Sequence, residues 1–564
     1  MLTPVIRGAV AGMERKSPQC SPRRPRWEFL RALWESASAG ERRLQRLLAV
    51  LLAVICLGVT FVGVPRLGIF GHDVFVSLDG GWRVLHGERP GIDFYSQMGP
   101  AYYLLHAAGL WLAGGDARGL GYGSALAVVV LSCWEFFLLR SRMKALPLLV
   151  TCLFLALLVA APFPLGFSPL RTAFCMKHNR YCYMLTSLVM LESFLPPGEF
   201  KGWRHAFVGG FSSGVACALA FFIKISFGFV ALTFAAASVL LVPRARYRLP
   251  GLAAGILAFS LPMMGYLRFD LHSQIEQYRL LALTQAHSIT FMSILWTAYE
   301  DRLEISLVAL LVLLMGLLLE VPLKRFLVLA AVTAMAGGAS ILLLLTNTQL
   351  AEMPLLTTCA LLLLNEIVAA HHRERTLAEA PLQAMALLLI LIPASLDAVG
   401  LVAAVKEKIA PSMPVFRFSE PHLTALEFSD CGTEQDNKYC HPNDNGRQYV
   451  QITQDGLDLI HQYGLPDESV AGMDMSNPFS YGSLRKPAHG GAVVLGATNI
   501  NKDHVPPRKL LIGDASLLLI PKFETSTADA LQCILRTYPE ILGRDYRLLA
   551  ESRFWSLYRR AEAH

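Results

Sequence analysis

The chain has 564 residues and a formal net charge of +7, with hydrophobic residues making up 54% of it and charged residues only 16%. Its mean hydropathy is +0.44, and apolar runs of about 17 to 22 residues, long enough to cross a hydrocarbon core of about 30 Å, recur from Leu44 to Ala403. These features exclude an ordinary soluble enzyme and predict a polytopic membrane protein, in which Lys and Arg beside the helices set orientation rather than bind nucleic acid.

The N-terminal residues 1–43 carry many Arg and Pro residues and few long apolar runs. They are predicted to form a basic cytoplasmic tail. Their charge is too extensive, and the apolar stretch that follows is too long, for a simple cleaved signal peptide. Leu44 to Val64 is therefore predicted to be a retained membrane helix that leaves the cytoplasm.

Basic clusters alternate with the later apolar runs and set the predicted topology. They fall at every second connection: Arg140/Arg142/Lys144, Lys201/Arg204, Arg244/Arg246/Arg248, Lys324/Arg325 and Arg373/Arg375. Because cytoplasmic connections are rich in Lys and Arg, these clusters are predicted to be cytoplasmic. The spans that fit between them are residues 44–64, 119–139, 145–162, 181–195, 206–222, 226–243, 250–268, 304–320, 326–345, 353–370 and 382–403. The prediction is an α-helical bundle of about 11 transmembrane helices over residues 44–403, whose odd number of crossings leaves residues 404–564 on the outer side.

The first outer connection, residues 65–118, contains a polar stretch from His72 to Pro100 that reads HDVFVSLDGGWRVLHGERPGIDFYSQMGP. Three carboxylates lie in it: Asp73, Asp79 and Asp93. It is predicted to be a polar loop just outside the first membrane helix. The apolar stretch after it, residues 101–113, is too short for a span and is predicted to be an interfacial or re-entrant helix.

Polar residues also concentrate in the remaining outer connections. These are Ser168–Tyr181, which contains KHNRY, the junction around Lys224, the segment Asp270–Glu304, and Thr346–Gln349. All of them are predicted to converge on one membrane face with the first outer connection. Within the spans, ionisable groups at mid-depth are nearly absent, and the Gly210/Gly214 pair is predicted to serve close helix packing.

The C-terminal residues 404–564 alternate helix-like and strand-like patterns, which predicts a small extracytoplasmic α/β domain. Its predicted elements are a helix at Val450–Tyr463, strands at Ser469–Met475, Ala515–Ile520 and Tyr546–Ala550, and a helix at Ala528–Thr537. Cys431 and Cys440 bracket a polar loop, and in an oxidising compartment they are predicted to form a disulfide. A Gly-rich phosphate fingerprint is absent from the sequence, so nucleotide binding is not predicted.

An outward-facing carboxylate loop above a hydrophobic bundle suits a reaction with a lipid donor and an acceptor that arrives from outside. Glycosyl transfer from a polyprenyl phosphate meets these terms, because the lipid phosphate is already a competent leaving group. The protein then has to hold the negative charge of the phosphate with Lys or Arg. It also has to supply a carboxylate that takes the proton of the acceptor.

The first outer connection resembles that of the multipass GT-C glycosyltransferases, which include the dolichyl-phosphate-mannose protein mannosyltransferases and the bacterial lipid A aminoarabinose transferase. In that family an Asp, often followed by Glu, begins the loop, and a pattern like LLxGxxPYxDF and a Pro-containing turn come later. Here Asp73 matches the first Asp. Gly87 and Asp93, both within VLHGERPGIDF, match the Gly and the Asp of the later pattern, and Gly99-Pro100 matches the turn. The sequence departs from the pattern at two positions. Val74 stands where the family often has Glu, and Gly91 stands where the family has an aromatic residue. The KHNRY segment and the Lys224 junction share the resemblance.

The resemblance implies a bacterial inner-membrane enzyme that transfers a sugar from a polyprenyl-phosphate donor to a glycan, lipid or protein acceptor on the periplasmic side, with inversion. It implies the roles of catalytic base for Asp73, donor-phosphate binding for Lys224, Arg180 and Lys177, and acceptor binding or structure for Asp79, Asp93 and His178. Helix capping would also explain Asp73, and snorkelling to lipid headgroups would explain Lys224. A protein metal site is not predicted, no cofactor is certain, and a divalent metal stays open.

Two other classes of function compete with the transferase. A flippase or transporter for lipid-linked sugars would need an inverted repeat and a polar path across the bilayer, and the sequence shows neither. A non-catalytic partner in an envelope polysaccharide assembly complex would use residues 404–564 to bind protein. Substitution of Asp73 would then have no effect, whereas deletion of residues 404–564 would.

Overall fold

The computed structural model describes residues 39–195, 203–242, 245–285, 289–319, 321–347, 349, 351–370, 379–430, 446–496, 500–525 and 527–561. The predicted disulfide between Cys431 and Cys440 lies outside these residues, as does most of the predicted tail 1–43. The chain divides into two compact units, residues 1–47 and 48–564. Of the first unit, only the start of one helix is among the described residues.

Helices dominate the described residues. They are α1 (Ala39–Val62), α2 (Asp73–Leu85), α3 (Pro100–Leu112), α4 (Gly119–Leu139), α5 (Ala145–Ala160), α6 (Lys177–Phe194), α7 (Trp203–Ile223), α8 (Ile225–Leu241), α9 (Leu249–Tyr266), α10 (Leu271–Gln285), α11 (Phe291–Glu300), α12 (Arg302–Leu318), α13 (Leu323–Thr346), α14 (Pro354–Ala370), α15 (Glu379–Ile409), α16 (Gly446–Tyr463), α17 (Phe479–Gly482), α18 (Arg508–Leu511) and α19 (Ala528–Thr537).

Every predicted span overlaps one of these helices over most of its length. Among the described residues, 6 helices are long and apolar enough to cross a membrane, namely those that include α1, α4, α7, α9, α13 and α15. The chain therefore carries the helices of a polytopic membrane protein. The larger predicted number of crossings, and the side of the membrane that each connection faces, stay predictions.

The stretch that begins at His72 is not the predicted loop, because Asp73–Leu85 is the largely buried helix α2. Glycine is unfavourable inside an isolated helix, but here it allows two helices to cross closely. A Cβ atom added to Gly80 would lie 2.1 Å from Cδ1 of Tyr103 in α3. Tertiary packing against α3 thus stabilises a helix that local preference disfavours. A helix, α3, is present at the predicted short segment 101–113, and its interfacial or re-entrant position stays a prediction.

Helices α7 and α9 pack at glycine positions, as the Gly210/Gly214 pair predicts. A Cβ atom at Gly210 would lie 2.2 Å from the carbonyl oxygen of Arg248, and one at Gly214 would lie 2.2 Å from that of Leu252. The glycine of α9 at position 255 meets the α7 backbone in the same way, with Phe211 O at 2.1 Å from the added atom. These backbones touch without intervening side chains.

The last long helix of the bundle, α15, has 31 residues and runs without a break across the predicted boundary between residues 403 and 404. Near its C-terminal end, Arg66 Nη1 donates to Glu407 Oε2 at 2.5 Å. This ion pair ties α15 to the segment that precedes α2. The division of the chain at residues 403 and 404 stays a prediction.

The C-terminal residues contain a four-stranded sheet formed by β1 (Val470–Gly472), β2 (Leu517–Pro521), β3 (Tyr546–Glu551) and β4 (Trp555–Arg560). Its order is β1-β2-β4-β3, with β1 parallel to β2 and the other two pairs antiparallel. In the β2–β4 pair, Leu519 lies opposite Leu557. The predicted strands at β1, β2 and β3 and the predicted helices at α16 and α19 are confirmed, whereas β4 was not predicted.

Three of the other predicted outer connections contact the first one, whereas the side of the membrane that they face stays a prediction. Hydrogen bonds between them join Gly99 N to Ile223 O (2.8 Å), Gln274 Nε2 to Pro90 O (3.1 Å), Gly68 N to Thr172 O (3.0 Å) and Tyr95 N to Gly491 O (2.8 Å). The first connection therefore contacts the segment before α6, the α7–α8 junction, α10 and the C-terminal residues. Residues far apart in the sequence are thus brought together around the first connection.

Candidate functional site

Asp73 is the first residue of α2, and its carboxylate is partly exposed. Its Oδ1 lies 3.2 Å from Nε2 of His72, and a carboxylate in the first turn interacts favourably with the helix dipole. Burial raises the pKa of the Cys175 thiol, and the nearby Asp73 carboxylate raises it further. Asp73 is therefore close to the segment that leads into α6.

A row of polar side chains runs from α2 to the junction between α7 and α8. Ser77 lies four residues after Asp73, on the same face of α2, and its Oγ is 2.7 Å from the Tyr102 hydroxyl. The ring of Tyr102 meets the ring of His178 edge-on, with centroids 5.5 Å apart. His178 Nε2 then lies 3.3 Å from Lys224 Nζ. Asp73, Ser77, Tyr102, His178 and Lys224 are hereafter the polar row.

Local backbone geometry places the two basic members of the polar row. His178 lies in the first turn of α6, two residues after Met176, whose φ of 51° is in the left-handed region that L-residues rarely adopt. Such a conformation costs on the order of 1–3 kcal/mol and persists when the surroundings enforce it. Lys224 has an extended backbone (φ −155°, ψ 119°) that separates α7 from α8. Both residues thus lie where the helical backbone is interrupted.

Buried polar atoms without a partner surround this row. Among the described residues, both ring nitrogens of His106, Nδ1 of His178 and both amide atoms of Asn179 are buried without a hydrogen bond. The ring of His106 contacts Tyr102, with centroids 4.5 Å apart. Buried polar groups in proteins are nearly always paired with protein or water. This cluster therefore offers several hydrogen-bonding groups to a polar ligand or to water.

A cavity of about 650 Å³ begins at Lys224. Its walls are mostly aromatic and aliphatic, including Phe221, Phe229, Met264 and Tyr278. An ammonium group at the border of an apolar cavity suits a ligand with an anionic head and a hydrocarbon chain.

Two of the predicted phosphate ligands, Arg180 and Lys177, are occupied by protein acceptors. Arg180 Nη1 lies 2.9 Å from Asp397 Oδ1, and its Nε and Nη2 donate to the carbonyl oxygen of Phe163. Lys177 Nζ donates to the carbonyl oxygen of Ala161 at 2.7 Å. The structure thus brings Lys224 and His178 together but turns Arg180 towards α15.

The carboxylates of Asp79 and Asp93 are not directed to the polar row. Asp79 is fully buried, and its Oδ2 accepts from Arg83 Nε at 2.9 Å. Arg83 Nη1 in turn donates to Glu88 Oε2 at 2.9 Å. Asp93 Oδ2 accepts from Arg89 Nε at 2.7 Å. Of the three carboxylates, Asp73 is the one that the polar row includes.

Sequence reasoning missed the polar residues that link Asp73 to Lys224. Ser77 becomes meaningful only once residues 73–85 are known to be helical, since its position four residues after Asp73 then places it on the same face. Tyr102 and His106 lie in an apolar stretch, AYYLLHAAGLWLA, where they were assigned no role. Asn179 was part of the singled-out KHNRY segment, but without a function.

One group of potential metal ligands occurs within the described parts of the chain, and it includes no member of the polar row. It consists of Glu420, Asp458 and His461 in the C-terminal residues. In the polar row itself, the charged groups are one carboxylate and one ammonium, together with a histidine and two hydroxyls. This donor set suits an anion and an acid–base reaction better than a divalent cation.

No protein-family model and no curated protein matches the chain. Two crystal structures of ArnT from Cupriavidus metallidurans are similar to it: an apo structure (TM-score 0.39, 12% identity, covering 90% of this chain and 97% of that chain) and one bound to undecaprenyl phosphate (TM-score 0.40, 11% identity, 91% and 98%). A likeness this distant assigns no function to the chain.

Proposed function

We propose that this protein is a membrane glycosyltransferase that moves a sugar from a polyprenyl-phosphate donor to an acceptor on the outer, periplasmic side of the membrane. The observation that carries the proposal is the polar row, which connects the Asp73 carboxylate to the Lys224 ammonium. Around the row, buried histidine and amide groups lack partners among the described residues. A site of this composition can hold an anionic donor and a hydroxyl or amine acceptor together.

In this proposal, Lys224 binds the phosphate of the donor, and the cavity that starts there receives its hydrocarbon chain. The His178 ring, 3.3 Å from Lys224 Nζ, accepts a hydrogen bond when neutral and so fixes the direction of the ammonium. A Lys acts on phosphate as a point charge. The leaving phosphate is then stabilised as its charge develops. The undecaprenyl phosphate bound to the distant ArnT structure is a lipid of the proposed class.

Asp73 acts as the general base of the transfer. As the acceptor oxygen or nitrogen attacks the anomeric carbon, its proton passes to the Asp73 carboxylate, and the bond from the sugar to the lipid phosphate breaks. A single displacement of this kind inverts the anomeric carbon. Positioned general bases typically contribute about 10²- to 10⁴-fold to rate.

The proposal changes the roles of the other cations. Arg180 is assigned to holding α6 against α15 through Asp397, because each of its three nitrogens already donates to a protein acceptor. Lys177 is assigned a supporting charge next to the site, since its ammonium donates to the carbonyl oxygen of Ala161. Asp79 and Asp93 are assigned to structure, and His178 to positioning Lys224.

The substitution Asp73→Asn tests the proposed base. Full-length protein in liposomes is supplied with radiolabelled undecaprenyl-phosphate sugars and host envelope membranes as acceptors, and the rate of sugar transfer is measured. We expect Asp73→Asn to lower this rate by at least about 100-fold, while the midpoint of thermal unfolding stays unchanged.

The matched control is Asp503→Asn, which removes an exposed carboxylate outside the polar row. It is expected to transfer sugar at the wild-type rate. Transfer by Asp73→Asn at the same rate as the control would refute the assignment of the base. Product with retained anomeric configuration would refute the single displacement.

A further inference from the structure

We infer that Glu420, Asp458 and His461 form a binding site for a divalent first-row transition metal, separate from the polar row. One ligand atom from each of these residues lies within 4.8 Å of the others. Two carboxylates and an imidazole form a ligand set that suits Zn²⁺ and its neighbours rather than Mg²⁺ or Ca²⁺. The site does not depend on the proposed transferase activity.

Two secondary-structure elements supply the ligands. Asp458 and His461 are three residues apart in α16, so both side chains project from the same face of the helix. Glu420 directly precedes the short 3₁₀ helix Pro421–Leu423. A metal would thus join this turn to α16.

The strongest indication of a missing ligand is one oxygen of Glu420. The Glu420 residue is only 8% exposed, and its buried Oε2 has no hydrogen-bond partner among the described residues. Its other oxygen, Oε1, accepts from Gln454 Nε2 at 3.0 Å. A buried carboxylate oxygen without a partner is costly, and a cation bound to Oε2 would remove that cost.

Gln454 has the arrangement of an outer partner that orients metal ligands. Its Oε1 accepts from the backbone nitrogen of Ser419 at 3.0 Å, which sets the orientation of the amide. Its Nε2 therefore faces the carboxylates and donates to Glu420 Oε1 at 3.0 Å and to Asp458 Oδ1 at 2.9 Å. One amide thus holds both carboxylates while it leaves Glu420 Oε2 free for the ion.

The geometry needs only a small adjustment to bind metal. With bonds of about 2.0–2.2 Å, ligand atoms of a tetrahedral zinc site are about 3.4 Å apart. The exposed side chains of Asp458 and His461 can rotate to close the remaining distance. Three protein ligands leave the fourth position to water, as in open zinc sites.

The metal would stabilise contacts between the C-terminal residues and the first outer connection. His422, in the 3₁₀ turn next to Glu420, accepts from the backbone nitrogen of Ala117 through its carbonyl oxygen at 3.0 Å. Its ring nitrogen Nε2 lies 3.1 Å from the carbonyl oxygen of Tyr481. Fixing the turn to α16 would therefore also fix this contact.

Metal binding by the full-length protein tests the inference. Protein without an affinity tag is treated with EDTA, dialysed and titrated with Zn²⁺ by calorimetry, and Co²⁺ is added to a second sample for absorption spectra. We expect wild-type protein to bind one Zn²⁺ equivalent more than His461→Ala or Glu420→Gln, and to show Co²⁺ ligand-field bands that both variants lack. Gln454→Leu is expected to weaken Zn²⁺ binding by about 10- to 100-fold.

The control variant is Asp467→Asn, which removes an exposed carboxylate that is not part of the group. It is expected to bind Zn²⁺ like wild type. Because Asp458 and His461 are exposed, Asp458→Asn and His461→Ala should fold, and their unfolding midpoints in EDTA should match that of wild type. Equal Zn²⁺ stoichiometry and affinity in wild type and His461→Ala would overturn the inference, whatever the outcome of the transferase assay.

Discussion

Helix α6 carries a buried polar cluster near each end, and the two clusters differ in how their atoms are paired. Near the C-terminal end, Glu192 Oε1 accepts from Arg142 Nη2 at 2.7 Å, and Oε2 accepts from Ser213 Oγ at 2.7 Å and pairs with Arg248. Near the start, His178 and Asn179 leave buried polar atoms without partners among the described residues. About 21 Å of helix separates residues 178 and 192.

The difference teaches what each cluster is for. The protein itself pairs both oxygens of Glu192, the anion of that cluster, so the cluster holds helices together, although Arg142 Nε and Arg248 Nε are buried without a hydrogen bond among the described residues. The unpaired atoms around His178 need hydrogen-bonding groups from a ligand or water. Whether the protein pairs the side chains of α6 itself, Glu192 at one end and His178 and Asn179 at the other, therefore distinguishes the structural cluster from the candidate site.

Breaking the paired cluster should have the largest effect on stability. Glu192→Gln leaves the buried guanidinium groups of Arg142 and Arg248 without their anion, and loss of one partner from a buried ion pair typically costs about 3–5 kcal/mol. We expect a clear fall in the thermal unfolding midpoint of the full-length protein in detergent. The dissociation constant for undecaprenyl phosphate should stay the same in the protein that remains folded.

The control for Glu192 is Glu276→Gln, which removes an exposed ion pair with Arg279. Exposed pairs contribute less than about 1 kcal/mol, so this variant should unfold like wild type. If Glu192→Gln left the unfolding midpoint unchanged and weakened lipid binding, the contrast between the two ends of α6 would be wrong.

Substitution of Lys224, which lies beside the unpaired end of α6, should instead weaken lipid binding and leave stability unchanged. Lys224→Met removes the charge proposed to bind phosphate and shortens the unbranched side chain by one atom. A hydrogen bond to a charged group is worth about 1.5–3 kcal/mol, so undecaprenyl phosphate should bind about 10- to 100-fold more weakly. Native mass spectrometry of the full-length protein, titrated with that lipid, measures the change.

Arg279→Met is the matched control for Lys224, because Arg279 lines the same cavity but is exposed and paired with Glu276. Its affinity for the lipid should stay within about threefold of wild type. The unfolding midpoint of Lys224→Met should also be unchanged. Equal losses of affinity in both variants would point to general charge attraction in place of a phosphate site.

A third buried cluster is formed by Asp79, Arg83 and Glu88. Its pairing is incomplete, because the single guanidinium of Arg83 forms ion pairs with two carboxylates. Burial raises the pKa of the Glu88 carboxyl to about 7, although Arg83 opposes the shift. The folded protein therefore keeps a proton that the unfolded chain has already released. This contribution to stability is complete below the unfolded pKa, near 4.5, and is lost as pH rises through about 7.

Glu88→Gln should remove this pH dependence. Between about pH 6 and pH 8, the wild type should lose about 1.4 kcal/mol of unfolding free energy that the variant keeps. Thermal unfolding midpoints of both proteins at the two pH values measure the difference. Parallel changes in the two proteins would show that Glu88 does not titrate in this range.

Hydropathy predicted the positions of the long helices because each is apolar over its own length. Alternation of local patterns likewise predicted β1, β2 and β3. Local patterns failed where distant residues decide the structure. Helix α2 depends on packing at Gly80 against α3, and Arg180 is occupied by Asp397, 217 residues away in the chain.

The candidate site could be predicted only in part for the same reason. Asp73 and Lys224 were singled out from motif spacing and from position at helix ends. The link between them through Ser77, Tyr102 and His178 depends on contacts among three segments of the chain. The proposed metal site could not be predicted for a similar reason, since Glu420 lies 38 residues before Asp458 and the folded chain brings them together.

Two ion pairs are formed by side chains of the same continuous helix, α15, so the angle between these side chains about the helix axis is fixed. Asp397 pairs with Arg180 of α6, and Glu407 pairs with Arg66 ahead of α2. The ten residues from one to the other cover about 15 Å along the axis, and each residue turns the helix by about 100°. A single inserted or deleted residue between them would rotate one partner out of reach. The number of residues between Asp397 and Glu407 therefore sets the position of the segment ahead of α2 relative to α6.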